Sequence, residues 1–127
     1  VSEQRPTPMI YRTPPRRKPR VAGLVPVGRG GAIVVLDPWE IRTALVSLSS
    51  VRLCRVLLQE RPTVIVTPHA PRWLSGLDLA IELRECPTRP RSLAAHPELR
   101  RFIGTDTEHI IRQAVTLADS TMRQLTL

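Results

Sequence analysis

Aromatic residues make up only 3% of this 127-residue chain, so any core must be built from Leu, Val, Ile and Ala. Apolar residues still reach 42%, enough for one globular domain with a real interior. Lysine is almost missing: of 19 basic residues, Lys18 alone is not arginine. With 13 prolines, that bias reads as the coding habit of a GC-rich bacterium rather than a selected chemistry. Two cysteines, Cys54 and Cys86, are too few for a disulfide framework or a zinc site. The three histidines, His69, His96 and His109, show no metal-ligand spacing. No apolar run is long enough to span a bilayer, and none follows the basic start as a signal peptide requires. The expected location is cytoplasmic. No catalytic triad, metal cluster or nucleotide loop is present, so neither an enzyme nor a cofactor is expected.

The positive charge is uneven. Residues 1–22 hold six basic residues against Glu3, whereas the remainder holds thirteen basic and ten acidic residues. Most of the formal net charge of +8 therefore lies in one arm. Residues 1–20 also carry Pro6, Pro8, Pro14, Pro15 and Pro19. Such a segment buries too little apolar surface to offset its ordering entropy, and is expected to be flexible. Arg12, Arg16, Arg17, Lys18 and Arg20 are its candidate contacts to nucleic acid. A merely solvating arm is the competing reading.

Residues 21–127 are expected to form an α/β domain. Val21–Val27 and Ala32–Leu36 are apolar runs around Gly28-Arg29-Gly30-Gly31, a hairpin signal. Pro26 cannot donate to a ladder, which places the hairpin at the edge of the sheet. Asp37-Pro38-Trp39-Glu40 has the composition of a helix start, with Asp37 as cap. Ile41, Ala44, Leu45, Leu48, Val51, Cys54 and Leu58 then recur on one helical face. A helix over 38–60 is expected, ended by Pro62. Thr63–Thr67 is β-branched and apolar throughout, a strand covered on both faces. Trp73 to Arg84 has helical spacing, and residues 91–95 are a possible strand. Pro97–Ile103 reads as a short helix closed by Gly104. For the last segment, one helix from Thr105 competes with a strand over 109–112 and a final helix capped by Thr116 and Asp119.

The order of these elements, with Gly30–Leu36, Glu60–Val66 and then Ser75-Gly76-Leu77, resembles a STAS domain, the anti-sigma-factor antagonists and their relatives. Ser92–Asp106 and Val115–Asp119 resemble later parts of that family, so the likeness covers about Val21 to Leu127. It implies a small mixed sheet with about four helices, and it favours the strand-plus-helix reading of the last segment. It also implies a non-enzymatic regulatory module that docks a protein partner, such as an anti-sigma kinase-like regulator. In the family, a hydroxyl residue in an Asp-Ser-Ser/Thr-Gly-Leu motif at a helix start is phosphorylated. A helix N-terminus welcomes that charge, and the charge then weakens docking. Here Trp73 replaces the aspartate, Leu74 occupies the acceptor position, and Ser75 is the nearest hydroxyl. The partner-binding residues implied are Trp73, Leu74, Ser75, Gly76 and Leu77. Trp39, at another expected helix start, is a candidate anchor beside them.

Overall fold

The computed structural model describes residues 18–77, 81–87 and 96–126. The expected α/β class is observed: a five-stranded mixed sheet covered on both faces by helices. The strands are β1 (Val21–Val27), β2 (Gly30–Leu36), β3 (Ile41–Ser47), β4 (Val64–Thr67) and β5 (Glu82–Glu85), in the spatial order β3-β2-β1-β4-β5. The helices are α1 (Ser50–Glu60), a single turn α2 (Arg72–Ser75), a 3-10 helix (Pro97–Phe102) and α3 (Glu108–Thr126). The basic arm lies outside the described residues up to residue 17, as does the possible strand at 91–95.

The continuous apolar runs are explained by burial on both faces. Along β1, Val21 and Val25 point toward α3, and Ala22 and Leu24 toward α1. In β2, Ala32, Val34 and Leu36 share the α3 side, and Ile33 and Val35 the α1 side. The four residues of β4 are all buried. Leu53 and Leu57 from α1 and Leu74 from α2 close one half of the core. Leu99, Ile111, Ala114, Val115, Leu117, Ala118 and Met122 close the other.

The hairpin is confirmed, but it lies inside the sheet. β1 pairs with β2 on one side and in parallel with β4 on the other, through residues 21–23. Gly28 has φ 57°, and of the two turn residues only Gly28 is positive, the type II′ arrangement with glycine first. Val27 and Gly30 close the turn as the hydrogen-bonded pair, so Pro26, opposite Gly31, is in a non-bonded pair. Its nitrogen faces away from β2, past the last residue paired with β4. A proline is thus tolerated in a central strand, because β4 has already ended.

Three helix expectations are corrected. Asp37–Glu40 is a tight turn, closed by the Asp37 N–H donating to the Glu40 carbonyl at 2.9 Å. Asp followed by Pro starts a turn as readily as it caps a helix. The next residues form β3, antiparallel to β2, and the helix starts only at Ser50. Because β3 runs in the direction of β4, α1 is a crossover past β2 and β1. Residues 82–85 are a strand, because the open edge of β4 offers backbone groups that they satisfy: Glu82 N–H donates to Thr63 and Cys86 N–H to Thr67. Finally, 108–126 is one helix, without the strand that the family likeness favoured. Its apolar stripe from Ile111 to Met122 is fully used against the sheet. The Gly104 N–H bonds the Glu108 carboxylate at 2.8 Å, and with Arg112 this holds its pKa below the ordinary 4.5.

Helix α1 ends at Arg61, which has φ 49° and donates its N–H to the Leu57 carbonyl at 3.0 Å. A left-handed residue at this position is ordinarily glycine, and a side chain there costs about 1 kcal/mol. Arg61→Gly is therefore expected to raise stability by about 1 kcal/mol, measured by urea unfolding. A destabilised variant would show that the arginine side chain contributes more than the strain removes.

Candidate docking site at the carboxyl ends of the parallel strands

The segment from 68 to 77 leaves the carboxyl end of β4 and is tied down at several points. The buried Thr67 hydroxyl donates to the His69 carbonyl at 3.0 Å. The Ala70 N–H donates to the Glu85 carboxylate at 2.7 Å, which links the loop to β5. Leu74 is buried in the core, and Trp73 and Leu77 pack partly against the same cluster. The hairpin turn and the start of α1 reach this end of the sheet as well, because β1 and β4 are parallel.

Between them lies an open cleft of about 550 Å³. Pro26, Gly28 and Arg29 form one wall, His69, Pro71, Arg72 and Trp73 another, and Ser50 of α1 the third. No lining residue carries a carboxylate. The Arg29 and Arg72 guanidinium groups have no ion-pair partner among the described residues. Ligand sites in open α/β sheets favour this end, where backbone and helix termini converge on a crevice. The arrangement can hold an apolar or acidic group; Ser50 and His69 both line it, and no hydrogen bond joins them.

The candidate residues separate in space. Trp73 lines the cleft, whereas Leu74 beside it is structural. Ser75 is exposed, but it is the last residue of α2 and its hydroxyl donates to the Arg72 carbonyl at 2.8 Å. The helix-dipole reason for a phosphate therefore does not apply to it, since α2 is one turn long and Ser75 stands at the wrong end. Gly76 is the C-cap of that turn. Trp39 is 47% exposed, yet its turn follows Leu36, which pairs with Val21 at the start of β1. It therefore stands at the opposite end of the sheet from Trp73.

That opposite end holds a cluster of charges. Arg20 donates to Asp37 Oδ2 at 2.7 Å and to the Glu60 carbonyl at 2.6 Å. Arg42 donates to Glu60 Oε1 at 2.7 Å, and its pKa is raised, chiefly by that hydrogen bond. Arg20 is thus a part of the domain and not a free cation of the arm, which corrects its place among the nucleic-acid residues. Only Lys18 of the remaining candidates is described, and it is exposed. Arg12, Arg16 and Arg17 lie outside the described residues.

His96 was not recognised in the sequence as a paired residue. It is buried, with Nε2 at 2.9 Å from both oxygens of Asp119, and so ties the start of the 3-10 helix to α3. Neither residue has a sequence signal, because partners 23 positions apart meet only through the fold. No serine or cysteine is bonded to His96 among the described residues, so the pair is an anchor. Cys54 and Cys86 are both free thiols, and burial raises the pKa of Cys54. No group of three or more metal-ligating side chains occurs among the described residues. No helix there is long and apolar enough to cross a membrane.

The chain matches no protein-family model, no curated protein and no solved structure with which it was compared.

Proposed function

We propose that this chain is a non-enzymatic regulatory interaction module, of the kind implied by its resemblance to STAS domains. It docks a protein partner in the cleft beside Trp73. The observation that supports this reading is the convergence of Arg29, Arg72 and Trp73 on one crevice with no carboxylate in its lining. A half-buried tryptophan flanked by arginines is the composition of an interface anchor. Because Ser75 is at the end of α2, control is assigned to the partner's abundance or to competition rather than to a phosphate at that serine.

The test is affinity capture by the tagged chain from cells that express it, washed at rising salt. A protein held by the parent chain should be lost when Arg29→Glu and Arg72→Glu are combined, with at least a tenfold drop in recovery. Both positions are exposed, so the fold should survive, as circular dichroism would check. Equal recovery by the variant would remove the cleft from the function. Capture of nucleic acid alone, lost on deletion of residues 1–17, would transfer the function to the arm.

A further inference from the structure

The outer face of α1 is at odds with its sequence. The apolar stripe that helical spacing assigns to the core, with Val51 and Leu58 in it, points outward. Leu53 and Leu57 fill the core instead, leaving Val51 60% and Leu58 48% exposed. Leu48, just before the helix, is 89% exposed. At that position an apolar side chain ordinarily folds back onto the first turn, here toward Leu53, and this one does not. Single exposed apolar residues need no explanation, but Val51 and Leu58 are seven residues apart and so lie in one row, about 10 Å apart along the helix. Arg55 stands between them in the same row, and Arg52 borders it. Both arginines are exposed, and neither has an ion-pair partner among the described residues. The one carboxylate of the helix, Glu60, is held by Arg20 and Arg42 at its far end.

We propose that this face is a second docking surface, distinct from the cleft, and that its occupant is an acidic amphipathic helix of a protein partner. The spacing specifies apolar side chains one heptad apart with a carboxylate between them. Burying Val51 and Leu58 supplies attraction, and the carboxylate meets Arg55 in a partly dehydrated position, where the pair selects its partner. A second copy of this chain is disfavoured, since self-pairing of the face sets Arg52 and Arg55 against their own copies. A lipid surface is disfavoured because the row offers no aromatic residue and only two half-exposed apolar side chains.

The test uses the full chain and a labelled helical peptide of about 20 residues, with leucines one heptad apart and glutamates between them. Its counterpart carries lysines for the glutamates. Fluorescence anisotropy should show the acidic peptide binding and the basic one failing. The double variant V51D/L58D should weaken binding at least tenfold, and R52E/R55E should do the same while gaining affinity for the basic peptide. Arg29→Glu with Arg72→Glu should leave binding unchanged, which separates this surface from the cleft. All four α1 positions are exposed, so circular dichroism should be unaltered. No binding of the acidic peptide, or equal binding of both peptides, overturns the proposal. So does a dimer, seen by sedimentation, that V51D/L58D returns to monomer. Competition by anionic vesicles or by an oligonucleotide that is lost in V51D/L58D would overturn it too, giving the face to another occupant.

Discussion

Replacing Gly23 by alanine is expected to cost about 3 kcal/mol and to lower the melting temperature by about 10 °C or more. Gly23 lies at the centre of β1, where α3 crosses closest to the sheet. A Cβ there would stand 2.0 Å from the carbonyl oxygen and 3.0 Å from the carbonyl carbon of Ala114, with the Ala118 methyl at 3.2 Å. The first two contacts are to backbone, so no rotamer change relieves them. Either α3 lifts from the sheet or β1 shifts from β2 and β4, and in both cases the packed interior opens. Combining Gly23→Ala with Ala118→Gly removes only the methyl contact and should not restore stability. Thermal and guanidinium unfolding of both variants would decide the matter. A variant within about 0.5 kcal/mol of the parent, or full recovery in the double variant, would mean that the backbone approach is not what makes glycine necessary.

Arg20→Ala is expected to cost about 2 kcal/mol, the second largest effect. Its side chain is 27% exposed and makes charge-assisted bonds to Asp37 and to the last turn of α1 at once. The cation is well placed at that helix C-terminus, where carbonyls lack partners. Its loss leaves Asp37 with Arg42 alone, at 3.7 Å. Arg20→Lys should recover less than half, since one ammonium cannot span the two acceptors as the guanidinium fork does. The backbone of Arg20 is engaged as well: its N–H donates to the Thr63 hydroxyl at 3.1 Å and its carbonyl accepts from the Thr63 N–H at 2.7 Å. A chain beginning at Lys18 should therefore be more stable than one beginning at Val21, by about 2–3 kcal/mol in urea unfolding. Equal stability of the two would restore Arg20 to the arm and leave it free for an external anion.

How far the site could be read from the sequence follows the same division. A break at 69–72 was legible because Pro68 and Pro71 interrupt both helix and strand, although α2 already starts at Arg72, and Trp73 stood out in an aromatic-poor chain. Arg29 and Ser50 were not, since a hairpin turn and a helix start have no reason in sequence to meet that loop. The grouping of Trp39 with Trp73 failed for the same reason. Local cues placed each at an element boundary, but antiparallel pairing of β2 sends its turn to the other end of the sheet.

What the sequence by itself determined was the middle of this protein. Val21–Val27, Gly30–Leu36 and Val64–Thr67 are dense in β-branched and apolar residues between glycine and proline breakers, which marks them as strands, although Pro26 put the first two at an edge and only the sheet order placed them inside. The stripe from Ile111 to Met122 also fitted one helical face, but a strand over 109–112 with a shorter helix fitted the same residues, and packing against the sheet decided for one helix. Tertiary structure alone decided the periphery. Ile41–Ser47 is a strand because β2 presents an open edge, although its apolar spacing also fits a helix, and Glu82–Glu85 is a strand because β4 does. Their side chains carry little preference, so the backbone groups of the neighbouring strand, which must be paired once buried, chose their conformation. That choice also shortened α1 and fixed the face it turns to the sheet, which is why Val51 and Leu58 stand on the outside.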